Sequence, residues 1–226
     1  MDNTTTYQIT CPHCGATKLV AESNAPWNKT NAVLWSDGRI EGSDWCELAR
    51  TQQCPSCKHF FVLPSKSERK EVQVHCDDTG QLPLQSLKKA ITELSGNDKD
   101  AIWPREEAWQ AYNAMYRDVP EEDIPVEDRE FNRSNMQWLL DYSRRETPNY
   151  IFVIFELLRL LGYEDEYRKL LADMTFENFY QWKCARLKKK NIDHVPDEKI
   201  SRWQHARRVR EYGDALKLPI KPYIKP

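Results

Sequence analysis

Glycine is scarce, with seven in 226 residues. Loops that cradle phosphate groups consume glycine, because backbone amides must approach the ligand closely. Neither G-x-G-x-x-G nor G-x-x-x-x-G-K-[ST] occurs in the chain, which argues against the common nucleotide-binding enzymes. Long apolar runs are also missing. The longest, Ile151 to Leu161, is interrupted by Glu156 and Arg159 and falls short of the ~20 residues that a bilayer span needs. The opening MDNTTTYQIT has neither a basic stretch nor an apolar core, the two marks of a secretory signal. These absences lead to the expectation of a soluble, cytoplasmic protein with no membrane partner.

What is present is globular in character. Hydrophobic residues make up 40% and charged residues 30%, a balance that can fold rather than stay disordered. Eight Trp, ten Tyr and seven Phe supply large apolar surfaces for a core. The net charge of −2 hides an asymmetry. Residues 183–226 carry 13 Lys and Arg against 5 Asp and Glu, whereas residues 98–130 carry 11 acids against 4 bases. The chain therefore has an acidic middle and a basic end.

Cysteine number is odd, seven, and four of the seven fall in two C-x-x-C pairs: Cys11-Pro12-His13-Cys14-Gly15 and Cys54-Pro55-Ser56-Cys57-Lys58. Without a secretion signal this pattern reads as metal rather than disulfide. A two-residue spacing lets one tight turn offer two thiolates to one ion, and two such turns complete a tetrahedron. Pro12 and Pro55 pre-set φ in the turns, and Gly15 suits a position of positive φ. Four thiolates leave no open position for an activated water, so the ion expected here is one structural Zn2+, not a catalytic one. Lys58, Lys18 and turn amides are the expected compensators of its negative shell.

Here the chain resembles the zinc-ribbon family, whose knuckles commonly read Cys-Pro-x-Cys-Gly. The resemblance covers residues 7–63 and departs at Lys58, where glycine is usual. The stretch Ala32-Val33-Leu34-Trp35-Ser36-Asp37-Gly38-Arg39 is also similar to one between the Cys pairs of a group of bacterial proteins without an assigned activity. Those proteins place a zinc ribbon before a helical region with repeat-like hairpins, which implies the same architecture for this chain.

The periodicity divides the sequence into an N-terminal ribbon over 1–64, a junction over 65–82, a helical domain over 83–216 and an extended, Pro-rich tail over 217–226. Strands are expected at Tyr7 to Thr10, Lys18 to Ala21, Val33 to Trp35, Ile40 and Phe60 to Leu63, with one more at Glu71 to Cys76. Asp37-Gly38 marks a two-residue hairpin turn. Helical periodicity spans 84–95, 104–117, 127–145, 149–161, 164–173, 176–190 and about 197–216. The segment 149–161 is apolar on nearly every side and belongs at the centre of a bundle. Leu157 to Tyr167, turning at Gly162, resembles one helix–turn–helix unit of a tetratricopeptide repeat. No 34-residue period follows, so an irregular bundle is expected rather than an array.

The remaining cysteines, Cys46, Cys76 and Cys184, read as free thiols. A second metal site from His59, His75 and Cys76, or a catalytic Cys–His pair, lacks any paired spacing to support it. In the basic end, Lys188, Lys189, Arg207, Arg208 and Arg210 form a candidate nucleic-acid face that would meet phosphates. Tyr180, Trp182 and Trp203 are available to stack on bases. The same bases would equally pair with the acidic middle around Glu121, Glu122 and Asp123. The sequence therefore leads to an α+β chain, a small β zinc ribbon followed by a mostly α-helical bundle. Its expected role is a non-catalytic protein-interaction module, the alternative being a nucleic-acid-associated factor.

Overall fold

The structure, a computed structural model, describes residues 4–23, 33–35, 37, 39–41, 48–76, 78–146, 150–173 and 222–223. The N-terminal part is built from short antiparallel strands. β1 (Thr4–Thr10) sets Tyr7 and Ile9 on one buried face, and Thr6 on the opposite face is buried as well. It pairs with β2 (Thr17–Ser23) in the register Thr10↔Thr17 to Thr4↔Ser23. β3 (Val33–Trp35) pairs with β4 (Ile40–Glu41), and β5 (Thr51–Gln53) with β6 (Phe60–Val62). β7 (Lys70–Val72) lies on the other edge of β1, with Thr6 opposite Val72. β8 (Pro222–Tyr223), from the stretch expected to be extended, pairs with β3.

Three details differ from the periodicity. The β3–β4 pairing sets Leu34 against Ile40, so the connection is wider than a two-residue turn. The Asp37 carboxylate accepts the Arg39 N–H within it, an Asx-type turn. β7 is shorter and starts one residue earlier than the strand expected at Glu71 to Cys76, because its pairing with β1 ends at Val72. β5 has no hydrophobic alternation at all: it is Thr-Gln-Gln, yet Thr51 and Gln52 are fully buried.

Among the described residues five α-helices follow: α1 (Leu84–Glu93), α2 (Asp98–Tyr116), α3 (Val126–Arg145), α4 (Ile151–Leu161) and α5 (Glu164–Asp173). Each packs on the next in chain order. α2 starts six residues before the expected position. Asn97 caps it, its side chain accepting the Lys99 N–H, and Pro104 lies inside the helix. An internal proline costs about 3 kcal/mol, but the extra turns bury Ala101 and Ile102, which offsets much of that.

The main core gathers Trp109 of α2, Leu139 and Leu140 of α3, Leu157 and Leu158 of α4, and Tyr167 of α5. α4 is its centre, as its all-round apolarity demands. It ends at Gly162 (φ 76°), where Tyr163 N–H reaches back to Leu158 C=O at 2.9 Å. That left-handed cap folds α5 back so that Phe155 and Tyr167 meet edge to face. The strand part has its own apolar cluster, Tyr7, Ile9, Val20, Leu48, Phe61 and Leu63, against Cys11 and Cys54. The architecture is α+β: a small β ribbon followed by a helical bundle with one helix–turn–helix hairpin. The helical segments expected over 176–190 and 197–216 lie outside the described residues.

Candidate metal centre

Each C-x-x-C pair sits at the tip of a hairpin. The β1–β2 register leaves residues 11–16 as one tip, and the β5–β6 register leaves residues 54–59 as the other. The two tips repeat one set of hydrogen bonds. In the first, Cys11 N–H reaches Ala16 C=O at 2.8 Å and Gly15 N–H reaches Cys11 C=O at 3.0 Å. In the second, Cys54 N–H reaches His59 C=O at 3.0 Å and Lys58 N–H reaches Cys54 C=O at 3.1 Å. The residue after the second cysteine takes positive φ in both, 74° at Gly15 and 66° at Lys58. Among the described residues, Lys58 is the one non-glycine with positive φ.

The two tips bring Cys11, Cys14, Cys54 and Cys57 together, with all four sulfurs within 4.8 Å of one another. Cys11 Sγ lies 3.7 Å from Cys57 Sγ, and Cys14 Sγ lies 3.6 Å from Cys54 Sγ. A tetrahedron of sulfurs about 2.3 Å from a central ion has edges of about 3.8 Å. The spacing therefore fits four thiolates around one ion, and it is too long for a disulfide, whose sulfurs are bonded at about 2.05 Å.

The local electrostatics support the same reading. Cys11 and Cys54 are buried, Cys57 is half-buried and Cys14 is exposed. The backbone N–H of Cys57 is directed at Cys54 Sγ at 3.5 Å. That amide is the largest influence on the Cys54 thiol and, with the Ser56 amide and against burial, brings it down to about 6. The His59 amide pulls Cys57 in the same direction, but burial and the three neighbouring thiols outweigh it and push Cys57 up to about 12. Four thiolates this close oppose one another's ionisation; a divalent cation removes that conflict.

Around the centre, Lys58 folds back so that its Nζ donates to Pro55 C=O at 2.7 Å, over its own knuckle. Lys18, the other expected compensator, points elsewhere: its Nζ donates to Gln52 Oε1 at 2.8 Å and lies 3.4 Å from Asp78. Gln52 explains why, since a fully buried amide needs partners, and it takes Lys18 on one side and Ala49 C=O on the other. The His13 and His59 rings stack across the two knuckles, 4.8 Å between centroids.

Two carboxylates from the helices hold the second hairpin, and nothing in the sequence pattern marked them. Glu107 of α2 accepts the N–H groups of Arg50 and Thr51, and Glu93 of α1 accepts that of Phe60. Both lie in helical stretches where a glutamate reads as a solvated face; only the fold reveals which orphan donors they meet.

Among the described residues, the four cysteines are the one group of three or more ligand-type side chains close enough to share an ion. Cys76 instead receives the Asp78 N–H on its sulfur at 3.4 Å. Glu121, Glu122 and Asp123 form an exposed 3-10 turn between α2 and α3. Lys188, Lys189, Arg207, Arg208, Arg210, Cys46 and Cys184 lie outside the described residues. No described helix is long and apolar enough to cross a membrane. Compared with protein-family models, curated proteins and solved structures, the chain matches none.

Proposed function

We propose that the protein is a zinc-binding, non-catalytic protein-interaction module of the cytoplasm, with one structural Zn2+ held by Cys11, Cys14, Cys54 and Cys57. The observation that carries the metal reading is the closed set of four sulfurs at tetrahedral spacing. Four thiolates select a soft or borderline ion, and tetrahedral S4 is the usual zinc set. Such a shell has no position for substrate or water, so the ion staples the two hairpins together. A β unit this small buries too little apolar surface to fold alone, and metal binding supplies part of its folding free energy.

The interaction role is supported by what lies at the α2–α3 corner. Met115, Val119 and Val126 are 61%, 37% and 56% exposed there, beside the acidic turn of Glu121, Glu122 and Asp123. Large apolar side chains left in solvent next to charge suit the rim and centre of a protein contact. A second reading rests on the basic surplus of residues 183–226, which suits a phosphate backbone.

Elemental analysis of the purified protein should give one zinc per chain, and Cys54→Ser should lose it and unfold the ribbon. Protein without metal, or Cys54→Ser with full zinc, would sink the metal reading. The role is tested by recovering the tagged protein gently from its own cells, where a stoichiometric protein partner is expected. Tight, salt-sensitive retention on DNA or RNA, abolished by reversing Arg207, Arg208 and Arg210 to Glu, would replace that role with the nucleic-acid reading.

A further inference from the structure

Away from the metal centre, a cavity of about 370 Å³ opens where the chain entering β5, the linker before α1 and one face of α2 converge. That is the size of a pocket for a small organic molecule. Leu84 and Leu87 of α1 contribute apolar wall, and Trp103, Glu106 and Gln110 line it from successive turns of α2.

Glu106 stands apart from its neighbour. Glu107 is engaged by the Arg50 and Thr51 amides. Glu106 has no hydrogen bond and no ion pair with any group of the protein among the described residues. Gln110, one turn further along, donates its Nε2 to Asp37 C=O, which leaves its Oε1 as a second acceptor on the same helix face. Arg50 is partly committed, with its guanidinium 4.6 Å over the Trp103 ring and its Nη2 on Leu63 C=O, while its Nε is buried without a hydrogen-bond partner among the described residues. A half-buried carboxylate on a partly apolar cavity wall, with no partner among the described residues, is poorly solvated, and either a proton or a cation relieves it.

We propose that this cavity binds a small organic cation of the alkylammonium type, its charged head meeting Glu106 and Gln110 Oε1 and its apolar body lying along Trp103, Leu84 and Leu87. The acceptor pair, the apolar walls and the lack of a partner for Glu106 among the described residues select that chemistry over an anion or a neutral polyol. It goes beyond the metal and interaction roles and does not depend on either.

The site also has a pH signature. Burial first, and the adjacent Glu107 charge second, raise the Glu106 carboxyl to about 7. The other charged groups on the cavity wall are Arg39 and Arg50. Tyr142 of α3 and Tyr150 ahead of α4 also feel the Glu106 charge, and both phenols are raised, burial being the larger cause. Neither phenol titrates between pH 6 and 8, and an alkylamine stays protonated there. Glu106 therefore passes from mostly neutral to mostly ionised across that window. Affinity for the cation should rise about tenfold from pH 6 to pH 8.

The test uses the full, metal-loaded chain and three probes of one length: hexylamine, hexanol and hexanoate, titrated by ligand-observed NMR. At pH 8 hexylamine should bind more tightly than hexanol, and the preference should shrink about tenfold at pH 6. Glu106→Gln should remain folded by melting temperature and bind amine and alcohol alike, whereas Glu106→Asp should keep a preference for the amine. The proposal is overturned if hexylamine is no better than hexanol at pH 8. It is equally overturned if hexanoate binds best, which would give the cavity to Arg39, or if Glu106→Gln retains the amine preference, which would place the amine on the acidic surface instead.

Discussion

Lys58 and Gly15 occupy the same place in two copies of one knuckle, and only one of them suits it. At φ 66° a lysine Cβ crowds the following carbonyl, a strain of about 1–2 kcal/mol that glycine does not carry. At Gly15 an added Cβ would meet nothing within 4 Å, so the cost of a substitution there is purely backbone. Gly15→Ala should therefore lower the stability of the metal-loaded protein by about 1–2 kcal/mol. Lys58→Gly should move the other way. The relief is partly offset by the flexibility that glycine gives the unfolded chain, leaving a gain of up to about 1 kcal/mol. Urea denaturation of both variants checks the pair. If Lys58→Gly loses as much as Gly15→Ala, the lysine contributes through its Nζ contact to Pro55 C=O and the strain argument is wrong.

At the scale of elements, the sequence revealed whatever follows from spacing or apolar periodicity. The two C-x-x-C pairs predicted the four converging sulfurs, because a knuckle is a local turn and its ligands sit at fixed offsets. α5 was legible to the residue because its apolar pattern matches the helical period, and α4 was legible as a central helix because it is apolar on nearly every side. β5 was not legible, since Thr51 and Gln52 are polar residues buried against partners distant in sequence: Glu107 through the Thr51 amide, and Lys18 through the Gln52 side chain, which also reaches the nearby Ala49 C=O. The start of α2 was misplaced because proline marks a first turn far more often than an interior, and tertiary burial of Ala101 and Ile102 decided otherwise. The carboxylates that pin β5 and β6 were invisible for the same reason as β5. Their energetic weight can be measured. Glu107→Ala leaves the Arg50 and Thr51 N–H groups without their acceptor, a loss of about 2–3 kcal/mol for hydrogen bonds to a charged group. Glu107→Gln keeps one acceptor oxygen and should lose less. Thermal melts of the metal-loaded proteins should rank wild type above Gln above Ala, and Glu107→Ala should release its metal faster to a chelator. Equal melting temperatures and release rates would mean that the carboxylate follows the hairpin rather than holding it.

For the whole molecule, the question is how far the metal centre and the helical bundle stand or fall together. The apolar cluster around Cys11 and Cys54 shares no residue with the one centred on α4. What joins the two parts includes backbone hydrogen bonds to Glu93 and Glu107, the buried Asp37 carboxylate held by Asn113 of α2, and the Arg50 guanidinium over Trp103. These are directional contacts at a seam rather than one shared core. Removing the metal takes the folding free energy of the four thiolate bonds from the strand part. α4, by contrast, keeps Leu139, Leu140 and Tyr167 around it. Chelation should therefore abolish the dispersed amide signals of β1, β2, β5 and β6 while most helical circular dichroism persists. A chain beginning near Leu82 should likewise be helical without metal. The helices should nonetheless melt at a lower temperature once the ribbon is lost, by a few degrees for each kcal/mol of seam contact removed, because Glu93, Glu107 and Asn113 lose their partners. Helical signal that collapses together with the ribbon on chelation would show that the seam carries enough free energy to make the chain one cooperative unit, and that the division near residue 82 marks no boundary in folding.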